Sequence, residues 1–323
     1  MTLTQLKVFV LVTRLGSVKA AAATLGVSEP AVSQALAALR QHLGDPLIVR
    51  AGSAMQLTAA GQRVVGIASQ MVSLAVDAEQ AARASINAPE LLRVVASSSI
   101  ADSIGPTVLH SFTTKMANVE INLGVATAQQ MTALLHERLA DVALGPLPLS
   151  DTRGLTIQPL FRWRMVIVAE AAHRHAQHPH GQEIEISDLA HEHWLTDPSG
   201  RDPASVVAKM LKRLRVPDDA ISVFANQDAA LAAAAGGDGV VPAIEHLLVP
   251  DLAARGLVRL PVQGMPVEDM WQAMTLSADR RSETSARLLR FLASPDALME
   301  MHRTGSGVPA TRFRPPVYVT IWS

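Results

Sequence analysis

Four groups of residues have types and spacings suited to chemistry. Ser28, Ala31, Ser33 and Gln34 open an apolar-periodic segment, and their small polar side chains put hydrogen-bonding groups on a face slim enough to enter a groove. Ser97-Ser98-Ser99 and Thr196-Asp197-Pro198-Ser199-Gly200-Arg201 place hydroxyls, and in the second case a guanidinium, just ahead of helical segments. The run HRHAQHPHG supplies His173, His175, His178 and His180, with His191 and His193 close behind. Imidazoles brought together can hold a metal. Gly236-Gly237-Asp238-Gly239 has the glycine density of a phosphate cradle.

The last two groups have simpler readings. The chain has no cysteine and Pro179 interrupts the histidine run, which therefore reads as a solvated loop. The glycines match neither a phosphate loop nor a dinucleotide fingerprint after a first strand, and read as a turn before a buried strand. Ser98 has no motif-linked His and Asp, and neither a GxSxG elbow nor HExxH occurs. No catalytic residue, metal or cofactor is expected.

The first group depends on two helices. Ala21, Ala22, Leu25, Val27, Ala31, Val32, Leu36, Leu39 and Leu43 fall at helical spacing on either side of Gly26-Val27-Ser28. Ser28 suits an N-cap, Pro30 an early helical position and Glu29 the favourable first turn, so the second helix starts sharply and runs to about His42. Ala20 to Ala23 let the helices cross closely. Leu3, Leu6, Phe9 and Val10 make an amphipathic scaffold helix ahead of the pair. Pro46 to Arg50 and Met55 to Leu57 read as strands around a turn at Ala51-Gly52-Ser53, and Thr58 caps a long helix from Ala59. Its apolar positions continue to Ala82 with no evident globular partner, which points to self-association.

On these residues the chain resembles the LysR-type transcriptional regulators. The likeness covers LTQLKVFVLVTRLGSVKAAAATLGVSEPAVSQALAALRQHLGDPLIVR, then LTAAGQRV, and more loosely the remainder to about residue 293. It implies a winged helix-turn-helix over 1–58, a dimerisation helix over 59–88 and a two-lobed α/β effector domain over 91–293, similar to a periplasmic binding protein. It also implies that Pro30, Ala31, Ser33 and Gln34 meet the major groove and that Arg50 approaches phosphates. Two positions depart from the family habit: Glu29, where Gln is common, and Arg40, where a carboxylate is common. A Glu there accepts from a cytosine amino group and repels phosphate. The DNA set is thus Ser28, Glu29, Pro30, Ala31, Ser33, Gln34, Arg40 and Arg50, and the partners are double-stranded operator DNA, a small-molecule effector and a second copy in a dimer or tetramer.

Composition agrees. The 323 residues suffice for a small module, a linker and an effector part, and the formal net charge of -1 argues against a chain that coats nucleic acid. Yet residues 1–63 hold Lys7, Arg14, Lys19, Arg40, Arg50 and Arg63 against only Glu29 and Asp45. The positive charge sits where DNA is expected. No signal segment or long apolar span is evident, so a cytoplasmic protein without membrane contact is the expectation. A cytoplasmic solute-binding protein without regulatory DNA binding, or a hydrolase, would leave the N-terminal module unexplained.

From residue 91 the chain alternates β and α, with continuous apolar strands suited to a parallel sheet covered on both faces. Lobe I would hold 91–161 and 268–293, lobe II 162–267. Ligands in such folds sit beyond the strand ends, where Ser98 and Ser99 face Thr196, Ser199 and Arg201 from the other lobe. Arg201 can grip a carboxylate, so a small acid suits the site. Residues 294–323 form an atypical extension, ending in the apolar run Val317 to Trp322.

Overall fold

The computed structural model describes residues 1–303 apart from 52–53, 86–87, 117, 150–151, 178–182 and 249–251. Three helices open the chain: α1 (Leu3–Leu15), α2 (Val18–Leu25) and α3 (Glu29–Leu43). Thr2, Ser17 and Ser28 cap them by accepting from the N–H groups of Gln5, Ala20 and Ala31, and left-handed Gly16, Gly26 and Gly44 end them. Strands β1 (Ile48–Ala51) and β2 (Ala54–Leu57) pair antiparallel as a wing. The wing starts later than Pro46 suggests because Leu47 has φ 57 and donates its N–H to Asp45 Oδ1 at 2.6 Å. Thr58 Oγ1 donates to the same oxygen at 2.7 Å and accepts from Gly61 N at 2.9 Å, which caps α4 (Ala59–Ser85). A Cβ on Gly61 would come within 2.1 Å of the Leu47 carbonyl oxygen, so glycine is required where helix meets wing.

One face of α4 finds a partner in its own chain: Ala68 and Val72 are buried in a core shared with α1. The opposite face leaves Ile67, Met71 and Leu74 exposed.

The effector half begins β3 (Glu90–Ala96), α5 (Ser98–Ala101), α6 (Ile104–Lys115), β4 (Val119–Val125), α7 (Ala128–His136) and β5 (Val142–Gly145). Strand β3 lies parallel between β4 and β5. Next come β6 (Leu155–Glu170), β7 (Trp194–Thr196), α8 (Val206–Leu214), β8 (Ile221–Val223), α9 (Gln227–Ala235), β9 (Val241–Ile244), β10 (Leu257–Arg259), β11 (Val267–Leu276), α10 (Glu283–Leu292) and α11 (Pro295–Arg303). The main sheet runs β10-β6-β11-β5-β3-β4, with β9 also on β6.

Three features correct the sequence reading. The uninterrupted apolar run of the sequence marks only Met165 to Ala169 as a strand here, whereas β6 is a single strand of 16 residues, held antiparallel to β11 from Leu155 to Met165. The sheet is accordingly mixed, and β6 and β11 run through both lobes. The atypical extension does not begin at 294: Ala297 and Met301 of α11 are fully buried against the main core beside α6 and α10. Residues 304–323, with the apolar run at 317–322, lie outside the described residues.

Candidate functional site: a DNA-reading helix and an interlobe cleft

Ser28, Glu29, Pro30, Ala31, Ser33 and Gln34 all lie exposed on the leading face of α3, while Val32, Leu36 and Leu39 anchor its other face in the core. The Ser28 hydroxyl accepts from Ala31 N at 3.4 Å, and Pro30 occupies the first turn without losing a helical hydrogen bond. Arg40 is half-buried, and its Nη2 donates to the Ile48 carbonyl at 3.4 Å. Its guanidinium thus ties α3 to the wing instead of standing on the exposed face. The backbone of Arg50 lies in β1 opposite Met55, and its side chain lies outside the described part of the structure.

A cavity of about 200 Å³ opens between the lobes. Ser98 and Ser99 line it from the end of β3, and Ser199 faces them from the other lobe. The serines converge on a residue not chosen from the sequence. Asp197 Oδ2 accepts from Ser99 Oγ at 2.8 Å and Ser98 Oγ at 3.5 Å, and its Oδ1 accepts from the Ser199 N–H at 3.0 Å and from the Ser199 hydroxyl. Asp202 also spans the lobes: its Oδ2 accepts from Ala128 N, at the start of α7, at 3.1 Å, and its Oδ1 from Ala204 N at 3.0 Å. Trp163 of β6 and Trp271 of β11 form an apolar wall with ring centroids 5.6 Å apart, and Asp269 stands beside them. Burial pushes the Asp269 carboxyl up; burial, then the charge of Asp197, does the same to Asp102.

Two expected residues lie elsewhere. Thr196 is fully buried beneath Gly200, where a Cβ would come within 2.3 Å of the Thr196 hydroxyl oxygen. Arg201 is exposed and faces Asp218 at 3.8 Å. It ends a four-residue turn, Pro198–Arg201, while the helix proper starts only at Val206, so the guanidinium faces solvent. The described residues lining the cavity include Asp197, Asp202 and Asp269 and no Lys, Arg or His. Arg201, the residue that suggested a carboxylate effector, therefore does not line the cavity.

The DNA module touches this cleft. Ala23 of α2 lines the cavity, and Gln130 of α7, which also lines it, donates from Nε2 to Thr24 Oγ1 at 2.7 Å. Arg14 Nε meets Glu137 Oε1 at 2.7 Å, and the Glu137 side chain has no exposed surface. Around these contacts α1 shares one apolar core with Met131, Leu134 and Leu135 of α7.

His173 and His175 gather around Glu192. His175 and His173 Nε2 stand 2.9 and 3.4 Å from Glu192, which Arg174 also binds. Burial raises the Glu192 carboxyl, but Arg174 and the two imidazoles outweigh it and hold the group below its usual range. His173 and His175 are thus packed and not a solvated loop, because Glu192 lies against them; His178 and His180 lie outside the described residues. Among the described residues no three His, Cys, Asp or Glu groups are placed to hold a metal, and no helix is long and apolar enough to cross a membrane. The glycine run is the turn ahead of β9: a Cβ on Gly239 would come within 2.1 Å of the His193 carbonyl oxygen.

Residues 3–62 match the family model described as bacterial regulatory helix-turn-helix protein, lysR family, and residues 88–295 match the LysR substrate binding domain. An uncharacterised HTH-type transcriptional regulator of Mycobacterium tuberculosis is 31% identical over the whole of both chains. The HTH-type transcriptional regulator CfxR of Cupriavidus necator is 26% identical over 97% of each. Among solved structures, full-length CbnR in complex with its target DNA is 21% identical, covers 90% of this chain and 99% of that one, and has a TM-score of 0.52, a likeness of fold.

Proposed function

The chain belongs to the LysR family of transcriptional regulators, and from that premise we propose how its parts divide the work. It is a DNA-binding regulator with an effector-binding domain. In our reading residues 1–58 contact the operator, 59–88 join two copies, and 91–303 hold the effector in the interlobe cleft. Lobe I comprises 91–161 with 268–303, and lobe II 162–267.

The exposed leading face of α3 carries this reading. Its small residues permit close entry to the major groove, where Ser33 and Gln34 reach base edges, Glu29 favours a cytosine amino group and Arg50 of the wing meets phosphate. The stripe Ile67, Met71, Leu74 and Ala78 recurs at spacings of four, three and four on the free side of α4, the pattern of a helix–helix seam. A two-fold pair of modules then meets a two-fold operator. The effector shifts an existing balance between arrangements of lobes or subunits, and so the spacing of the two reading helices.

Genomic DNA capture with the full chain, followed by footprinting, tests this. Two related half-sites about one helical turn apart, or a multiple of it, are expected. Absence of any protected sequence, or identical footprints from the parent and a Ser33→Ala, Gln34→Ala chain, would reject the assignment of α3.

A further inference from the structure

Among the described residues, the interlobe cleft is lined by three carboxylates, Asp197, Asp202 and Asp269, and by no Lys, Arg or His. Among the described residues Asp197 accepts from hydroxyls and a backbone N–H, and Asp202 from two backbone N–H groups. Asp269 is half-buried; a backbone hydrogen bond from Met270 and then the charge of Lys209, exposed on α8, partly offset that burial. Carboxylates withdrawn from water are costly unless a counter-charge reaches them. An entering anion would meet like charge in a medium that screens poorly.

A second observation concerns what the walls offer besides charge. Trp163 lines the cavity and is 6% exposed, and its buried indole N–H has no acceptor among the described residues. Ser97 also lines the cavity, and its buried hydroxyl likewise has no partner among the described residues. A buried donor without an acceptor is a cost that a ligand oxygen removes. Trp163 and Trp271 also line the cavity, and an indole ring attracts an organic cation over its face.

We infer that the effector is a small amine that also carries a hydrogen-bond acceptor, its ammonium held by Asp197 and Asp269 against the two tryptophans and its acceptor oxygen by Trp163 and Ser97. This rests on the cleft being the effector site. The roughly 200 Å³ available suits a molecule of amino-alcohol or amino-acid size. Gln130 lies in the same wall and bonds to Thr24, so the DNA module lies one side chain away from the ligand.

The test is calorimetric titration of the full chain at fixed ionic strength with ethanolamine, putrescine and L-arginine, against succinate and benzoate. At least one amine should bind saturably, putrescine, which has no acceptor, more weakly than the better of the other two. Asp269→Asn should weaken that binding about tenfold or more, as should Asp197→Asn, and Arg201→Ala should leave it unchanged. Trp163→Phe should weaken the acceptor-bearing probes and spare putrescine. The inference falls if no amine binds at millimolar concentration, if putrescine binds best, or if binding survives Asp269→Asn. If succinate or benzoate binds instead and Ser99→Ala weakens it, the ligand class is wrong while the cleft stands. If an amine binds and none of these cleft substitutions matters, the cleft reading itself fails.

Discussion

Replacing Arg14 by Met removes the counter-charge of Glu137, a carboxylate with no exposed surface, while keeping most of the aliphatic length of the side chain. Stranding one member of a buried pair costs about 3–5 kcal/mol. Arg14 is half exposed, and Glu137 Oε2 has no partner among the described residues, so part of that interaction is screened and the second oxygen adds nothing to it. A cost of about 2 kcal/mol follows when the lower bound is reduced for screening. Urea unfolding of the full chain, followed by far-ultraviolet circular dichroism, measures it. The companion chain Arg14→Met, Glu137→Met should recover most of the loss, because an apolar pair replaces the ion pair within the apolar core shared by α1 and α7. If the single substitution costs less than about 0.5 kcal/mol, the surface-substitution range, or if the double chain is less stable than the single one, the contact does not hold the DNA module to lobe I.

Ser33→Ala and Gln34→Ala should each reduce discrimination between operator and non-operator DNA by about 1–3 kcal/mol, while Arg50→Ala lowers both affinities and flattens their salt dependence; fluorescence anisotropy across a salt series separates the cases. Met71→Glu with Leu74→Glu places charge in the exposed stripe of α4 and should give smaller particles and much weaker binding to a two-half-site operator, and an unchanged oligomer by sedimentation would count against the seam. His246 is held neutral by burial, then by the charge of His302, with its pKa lowered from 6.5 to about 3. The unfolded chain takes up that proton as pH falls below the ordinary histidine range while the native chain does not, so stability is complete above it and drains as pH drops toward the folded value. At pH 5 the loss should be about 2 kcal/mol relative to neutral pH, and His246→Leu should flatten the slope in unfolding curves.

The DNA module was legible because its signals are local. Ser28, Pro30 and Gly26 fix where α3 starts, and Thr58 fixes the start of α4, within a residue or two of the chain text. Arg40 was not legible: its charge suggested DNA, whereas its reach to the Ile48 carbonyl depends on where the wing folds back. The cleft was legible in its serines, which end β3, but not in its electrostatics. Arg201 and Asp197 are four residues apart, and only the tight turn Pro198–Arg201 decides which enters the cavity and which faces solvent. Thr127 and Gln130 form a capping box, a pattern visible in the sequence as a helix start, but their place in the cleft wall is a tertiary fact. The long strand β6 was missed because Pro159 and the charged Arg162 and Arg164 break its apolar run, and pairing with β11 overrides that local signal.

The apolar core that joins α1 to α7 bears on how such a chain can be inherited. Regulators of this architecture invite exchange of reading heads, with one chain's first sixty residues spliced onto another's sensor. Here a transplanted head would have to bring its own match for Met131, Leu134 and Leu135, an arginine to meet Glu137 and a hydroxyl to meet Gln130. A head lacking them would expose that face of α7 and strand a buried carboxylate. Altered operator preference in this lineage is therefore expected to arise by substitutions confined to the free face of α3, with the docking face of α1 and α2 changing only in step with α7.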